Sequence, residues 1–308
     1  MIYFLFGLGL VLLVAGSNFF VDSAVRIAKR AHISELVIGM TLVSIGTTLP
    51  EVMVSTTASV LGHNEMALGN ALGSIICNTA FIAGLSQTIR PGKVNVKDMR
   101  NSCIWFFASL LFVLLIGLIA GEIPRWAGAV LAVLFCLYSW FSVRSGSTEE
   151  ETANGEGEGK KMPLWADILL LIGGAALLFV GARLLVDKGS EIARKLNVPE
   201  KVISLSLIAL GTSLPELVTT ITSLVKGHAA LGLGNVIGAN ILNIVLVCGL
   251  SALIKPVPMV GTSLAIDIPV ALGVMAILTI PTLFQKRVLR YQGILLLCVY
   301  IGYLIYLF

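Results

Sequence analysis

Gly46-Thr47-Thr48-Leu49-Pro50-Glu51 returns, 165 residues further on, as Gly211-Thr212-Ser213-Leu214-Pro215-Glu216. The same shift, without a gap, brings Gly62-His63 onto Gly227-His228 and Gly69-Asn70 onto Gly234-Asn235. Gly73 falls on Gly238, Asn78 on Asn243, Gly84-Leu85-Ser86 on Gly249-Leu250-Ser251, Pro91 on Pro256 and Asp22 on Asp187. Self-similarity at a fixed period marks an internal repeat. Apolar packing alone does not require the same polar residues twice, so the repeated polar positions point to chemistry.

The surrounding chain is lipid-like. Of its 308 residues 57% are apolar and 12% charged, against about 25% charged in soluble domains. Mean hydropathy is +0.96. About 20 apolar residues cross a bilayer as a helix, and polar punctuation yields ten such spans. They cover roughly 2–25, 36–60, 66–88, 101–121, 124–143, 164–187, 202–225, 231–254, 264–284 and 290–308. The stretch Met1 to Val21 lacks a basic leader and is too long for a signal peptide, so it reads as a retained first helix. Equivalent helices are five spans apart, an odd number, so the second copy enters the membrane from the opposite face. The expected fold is an all-α membrane protein with ten transmembrane helices in two inverted-topology repeats of five. Residues 1–143 form the first repeat and 164–308 the second. Between them 144–163, reading RSGSTEEETANGEGEGKK and then Met162-Pro163, is a flexible acidic, Gly-rich linker.

Most lysines and arginines fall in the loops after spans 1, 3, 5, 7 and 9, which places those loops and the linker in the cytoplasm. Both termini and the loop after span 6 then face outside. Lys188, Arg194, Lys195 and Lys201 in that loop run against the trend. Short loops and the lack of a transit segment suggest a multi-pass protein of a prokaryotic inner (plasma) membrane, monomeric in the bilayer. The net charge of +4 sits in short membrane-flanking clusters, which excludes a nucleic-acid partner. Cys77, Cys103, Cys136, Cys248 and Cys298 lie in apolar stretches without a CxxC pair, so neither disulfides nor a metal cluster is expected.

An ionisable residue within a membrane helix costs about 2.5–3.5 kcal/mol or more. Glu51 and Glu216 both lie mid-span, with no Lys or Arg nearby in spans 2, 3, 7 or 8. The simplest counter-charge is a bound cation. Pro50 and Pro215 lack an amide hydrogen and break the helical ladder, and Gly46 and Gly211 loosen the turn before them. Freed carbonyls are then expected at Ser44 and Thr47 in one half and at Ala209 and Thr212 in the other, with the hydroxyls of Thr48 and Ser213 adding oxygens. Ser74 and Asn78 share a face of span 3, and Asn78 and Asn243 offer amide oxygens. Gly69, Gly73, Gly234 and Gly238 are small-xxx-small pairs for close helix approach. Asn70 and Asn235 are expected to brace helix pairs, and Ser55 and Thr220 to bond back to their own helix. Two carboxylates match one divalent ion, and an oxygen-only shell suits calcium or sodium rather than a transition metal, which wants His or Cys. His32, His63 and His228 lie at span ends or in loops. No resident cofactor is implied. An intramembrane enzyme is not expected, since GxGD, GxSxG and HExxH are missing; a calcium channel is a further alternative.

GTTLPE and GTSLPE, with the GNALGS and GNVIGA stretches that follow, resemble the sodium/calcium exchanger family of the calcium/cation antiporter superfamily, over nearly the whole chain. The resemblance implies a secondary active antiporter exchanging calcium for sodium by alternating access, in which spans 1 and 6 slide past the other eight. It implies a calcium position of the Glu51 and Glu216 carboxylates with the Thr47 and Thr212 carbonyls. Monovalent positions would flank it: Glu216, the Ser44 carbonyl, Thr48 and Ser74 on one side, and Glu51, the Ala209 carbonyl and Ser213 on the other. Asn78 and Asn243 would form a middle position. Two departures stand out. The mate of Ser74 is Ala239, and Asn243 stands where prokaryotic relatives often carry Asp. The neighbouring Asn240 is two positions off that face and is expected to point elsewhere. The alternatives are calcium/proton antiport, favoured by the missing hydroxyl at Ala239 and by paired buried carboxylates able to carry protons, and a potassium-involving calcium exchange.

Overall fold

The computed structural model describes residues 1–145, 162–196, 211–259 and 261–307. Its helices are α1 (Ile2–Ala31), α2 (Glu35–Leu61), α3 (Glu65–Ile89), α4 (Val96–Ala120), α5 (Arg125–Ser145), α6 (Leu164–Lys195), α7 (Leu214–Val225), α8 (Ala229–Ile254), α9 (Ser263–Gln285) and α10 (Arg290–Leu307). Among the described residues nine helices are long and apolar enough to cross a membrane, and α7 is a shorter apolar helix. Most of the linker and the first part of the seventh span, Ala209 included, lie outside the described residues. The protein is an all-α membrane protein.

The pseudo-twofold relation written in the sequence reappears as contacts made twice. Glu122 pairs with Pro258 across the two-residue strands β1 (Glu122–Ile123) and β2 (Val257–Pro258). Lys93 pairs with Arg287. Shifting Lys93 by 165 gives Pro258 and shifting Glu122 gives Arg287, so these are one contact in two copies. The glycines repeat the pattern. Gly84 approaches Gly293 and Gly128 approaches Gly249, again mates under the same shift.

α3 and α8 are the most enclosed spans and form the centre of the larger apolar core, through Leu72, Ile76, Ile237 and Ile241. α1 and α6 supply most of a smaller cluster, with Leu13, Phe20, Leu171 and Leu178, which Ile38 and Val43 of α2 and Leu231 of α8 join. Their backbones nearly touch. A Cβ on Gly174 would lie 2.8 Å from the Gly16 carbonyl oxygen and the Phe20 nitrogen, and one on Gly181 would lie 2.7 Å from the Leu13 nitrogen. Small residues at such crossings let dispersion and close packing act in lipid, where no hydrophobic drive between helices exists. Asp167, fully buried near the start of α6, accepts from Arg26 on α1 at 2.6 Å and meets Arg30 at 3.3 Å. Away from this pair the surface keeps large apolar side chains such as Leu115, Leu118 and Ile119, as a lipid-facing surface does.

The glycine contact is testable. Gly174→Leu should force α1 and α6 apart and lower stability by about 1–3 kcal/mol, whereas Gly173→Leu, whose Cβ would meet nothing within 4 Å, should leave the melting temperature in detergent unchanged. Equal melting curves for the two variants would contradict the close crossing.

Candidate ion-binding site

The repeated hexapeptides meet in the middle of the bundle. Glu51 and Glu216 are both fully buried. The hydroxyl of Thr48 on α2 donates to Glu216 Oε1 at 3.4 Å, so each half reaches into the other. Ser213 donates to Ser74 and Ser74 donates to Glu51 Oε1, both at 3.4 Å. All three contacts are long for hydroxyl bonds, whose usual length is about 2.7–2.8 Å, so the carboxylates are loosely held. Glu51 Oε2, Glu216 Oε2, Thr212 Oγ1 and both side-chain polar atoms of Asn78 and of Asn243 are buried without a hydrogen-bond partner. Native proteins leave few such atoms. Here they cluster on four elements that face one another.

Among the described residues no basic group pairs with these carboxylates. The ion pairs among the described residues lie elsewhere, as Arg26 with Asp167, Lys226 with Asp22 at 2.7 Å and His228 with Glu35 at 2.7 Å. The donor set at the centre is oxygen-rich: two carboxylates, two amides and the hydroxyls of Thr48, Ser74, Thr212 and Ser213. Such a set fits a hard cation of the calcium or sodium type.

The local backbone differs between the halves. Expected breaks at both prolines hold only in the second. There Thr212 and Ser213 form a turn and α7 starts at Leu214, with Pro215 in its first turn. In the first half the helix runs unbroken through Pro50, and the irregularity is displaced upstream to a π-helical segment at Gly39–Val43. Asn78 and Asn243 occupy π-helical segments at mated positions, Cys77–Ala83 and Asn243–Cys248. A π-helix carries an extra residue per turn and so rotates the side chains that follow it, a device common at functional sites.

Several readings of the sequence need adjusting. Gly46 and Gly211 also serve close approach: a Cβ on Gly46 would strike the Phe20 ring of α1 at 2.7 Å, and one on Gly211 would strike Val186 of α6; the turn before Gly211 lies outside the described residues. The hexapeptides are thus in contact with the α1–α6 pair. Thr220 does not bond back to its own helix but donates to the Gly232 carbonyl of α8 at 3.4 Å, and Ser55 accepts from Asn70 at 2.9 Å. Asn70 and Asn235 do brace: Asn235 accepts from Thr47 at 2.9 Å and joins α8 to α2. Asn240 points away, donating to Thr79 at 2.6 Å. The Ser44 hydroxyl bonds to the Met40 carbonyl at 2.8 Å, a contact that sequence pattern does not announce. Gly234 and Gly238 abut Leu36 and Met40 of α2 as expected, while Gly69 and Gly73 have nothing within 4 Å among the described residues. Residues 201–209, with the Ala209 carbonyl, lie outside the described residues.

The profile of the family described as sodium/calcium exchanger protein matches residues 1–144 and 166–308. The chain belongs to the sodium/calcium exchanger family. The sodium/calcium exchanger MaX1 of Methanosarcina acetivorans is 32% identical, over 98% of this chain and 97% of its own length. The inner membrane protein YrbG of Escherichia coli is 38% identical, over 80% of this chain and 78% of its own. The solved structure of the sodium-calcium exchanger NCX_Mj soaked with zero Na+ and Ca2+ superposes with a TM-score of 0.85 at 33% identity, covering 100% of this chain and 99% of that one. This exchanger family member is therefore a transporter and not an enzyme.

Because the Asn243 amide has no partner, removing it should be nearly free. Asn243→Leu, similar in shape, is expected to keep or raise the melting temperature of the ion-free exchanger, since replacing unpaired polar groups by apolar ones is close to neutral or stabilising. A fall of several degrees would show that the amide is satisfied by protein groups after all.

Proposed function

We propose that this exchanger moves calcium against sodium, with calcium held between Glu51 and Glu216. The observation that carries the reading is the pair of fully buried carboxylates, each with an unpartnered oxygen and, among the described residues, no basic partner. Two negative charges in a low-dielectric interior cost several kcal/mol each unless neutralised. A divalent cation neutralises both at once, and its departure restores the cost. That cost is lowered again when monovalent cations take its place, which makes exchange preferable to release. The carbonyls of Thr47, Thr212, Ser44 and Ala209 and the side chains of Thr48, Ser74, Ser213, Asn78 and Asn243 complete the proposed ligand set. Support for sodium comes from MaX1, named a sodium/calcium exchanger, and from the NCX_Mj crystals soaked with Na+ and Ca2+.

Alternating access is proposed to run through the α1–α6 pair, whose helices cross closely at Gly16 and Gly174 and touch Gly46 and Gly211. The membrane is the cell's inner membrane, with both termini outside, the linker in the cytoplasm and the protein monomeric. A calcium/proton exchange is the second reading, favoured by one observation: the hydroxyl relay Ser213 to Ser74 to Glu51 has no counterpart at the buried Ala239, so one sodium position lacks a ligand.

Calcium-45 uptake into sodium-loaded vesicles tests the leading reading against a sodium-free control. Uptake driven equally by a pH gradient without sodium would replace it with the second. Glu51→Gln and Glu216→Gln should each lower uptake at least 100-fold, from the loss of about 3 kcal/mol or more when one partner of a buried charge pair is removed, with unaltered elution as a folded protein. Transport surviving in both variants would remove the glutamates from the site. Ala239→Ser restores the missing hydroxyl and should shift the sodium concentration dependence of uptake before the calcium dependence; an unchanged sodium curve would argue against a monovalent position there.

A further inference from the structure

A largely apolar pocket with a few polar groups lies apart from the glutamates. It is a cavity of about 350 Å³, within the usual range of small-ligand sites, between the early turns of α2 and α4 and the end of α5. Asp98, Asn101, Ser102 and Trp105 line it at i, i+3, i+4 and i+7, one continuous stripe of α4. Asp98 is 4% exposed and accepts from the Ser34 hydroxyl at 3.0 Å. Ser142 and Phe141 of α5 close the opposite side. A buried carboxylate, an amide and hydroxyls thus form one end of the cavity, and aromatic faces its wall.

The mouth has a different character. Ile104 and Phe141 line the cavity and are 60% and 44% exposed, on helices whose outer surface faces lipid. Lys97 and Arg100, exposed beside Asp98, mark the polar boundary of the membrane. Arg144, also exposed, lies two residues past Ser142 with its guanidinium 5.2 Å from the Trp140 ring centroid. An apolar rim open to acyl chains, a guanidinium beside it and a buried carboxylate among aromatic rings form an ordered set. A carboxylate with aromatic faces selects an ammonium group, and a guanidinium selects a phosphate.

We propose that this cavity binds an aminophospholipid of the surrounding bilayer, with its primary ammonium on Asp98 and its phosphate toward Arg144. The occupant also touches the ion site indirectly. Met40 lines the cavity, its sulfur accepts from Ser102, and its carbonyl accepts from the Tyr138 hydroxyl at 2.9 Å and from Ser44 at 2.8 Å. Met40 belongs to the π-helical segment Gly39–Val43 that sets the register of Thr47, Thr48 and Glu51. The bound headgroup steadies that segment.

Native mass spectrometry of the full chain taken from vesicles with equal phosphatidylethanolamine, phosphatidylcholine and phosphatidylglycerol tests the proposal. The wild type should retain one phosphatidylethanolamine with roughly tenfold preference over phosphatidylcholine, as an ammonium partly desolvated against rings and a carboxylate implies. Asp98→Asn keeps an acceptor for Ser34 but removes the charge, and should abolish the preference. Ser142→Trp fills the cavity and should abolish retention. Equal retention of the three lipids by the wild type, a preference for phosphatidylglycerol, or a phosphatidylethanolamine preference that survives either variant in a folded protein would overturn it. The wild-type comparison stands even if a variant fails to fold.

Discussion

Two carboxylates buried in apolar protein, with no basic partner among the described residues, set the terms for everything around them. Charged groups in low dielectric are tolerated when paired, hydrogen-bonded or neutralised. Glu51 and Glu216 each receive one long hydroxyl bond and otherwise face amides that are themselves unpaired. A centre built for stability would have closed those bonds, as Asp167 does with Arg26 and Arg30. The contrast inside one molecule is informative. The same fold gives a buried carboxylate near the start of α6 two basic partners and gives the two at the centre none among the described residues, so the missing counter-charge is a property of that site rather than of the fold.

The repeat explains how such a centre is assembled. Each half contributes one buried glutamate on one helix and one buried asparagine on the next, so the repeat supplies each oxygen-bearing group twice. The packing that fixes the axis is made of paired contacts. Glu122 with Pro258 and Lys93 with Arg287, and Gly84 with Gly293 and Gly128 with Gly249, tie the halves at points away from the centre. The centre then needs few bonds of its own and is free to carry polar groups that do nothing for stability.

Much of this was legible in the sequence because polar residues in an apolar chain are conspicuous. The 165-residue shift, the ten spans and the pairing of Glu51 with Glu216 all follow from positions that apolar packing does not explain. What the sequence hid is local. Pro50 and Pro215 are identical letters, yet only the second lies at an interrupted helix. The first is absorbed because the π-helical segment at Gly39–Val43 takes up the distortion one turn or more earlier, and no residue type signals a π-turn. Gly46 and Gly211 looked like hinge residues, and their reason turned out to be the side chains of Phe20 and Val186 pressed against them. Contacts between distant segments of this kind leave no local pattern. The Thr220 hydroxyl follows the same rule: the Gly232 carbonyl on the neighbouring helix takes its hydrogen in place of the i−4 carbonyl.

Symmetry also sharpens where the two halves part. Under a strict twofold axis, Thr48 donating to Glu216 would be matched by Ser213 donating to Glu51. Instead Ser213 donates to Ser74, and Ser74 donates to Glu51, because a second hydroxyl stands in the way. The mate of Ser74 is Ala239, so Glu216 has no such intermediary and takes Thr48 directly. One methyl in place of one hydroxymethyl therefore gives the two carboxylates different surroundings. Glu51 sits behind a two-step relay; Glu216 sits behind a single threonine. Inverted repeats interconvert two mirror arrangements by exchanging the roles of their halves, and identical halves would make those arrangements equal in energy. Here they are not identical at the centre. For the alternating access proposed above, a bias between the two arrangements would originate in the residues that break the symmetry, Ser74 and Ala239 among them.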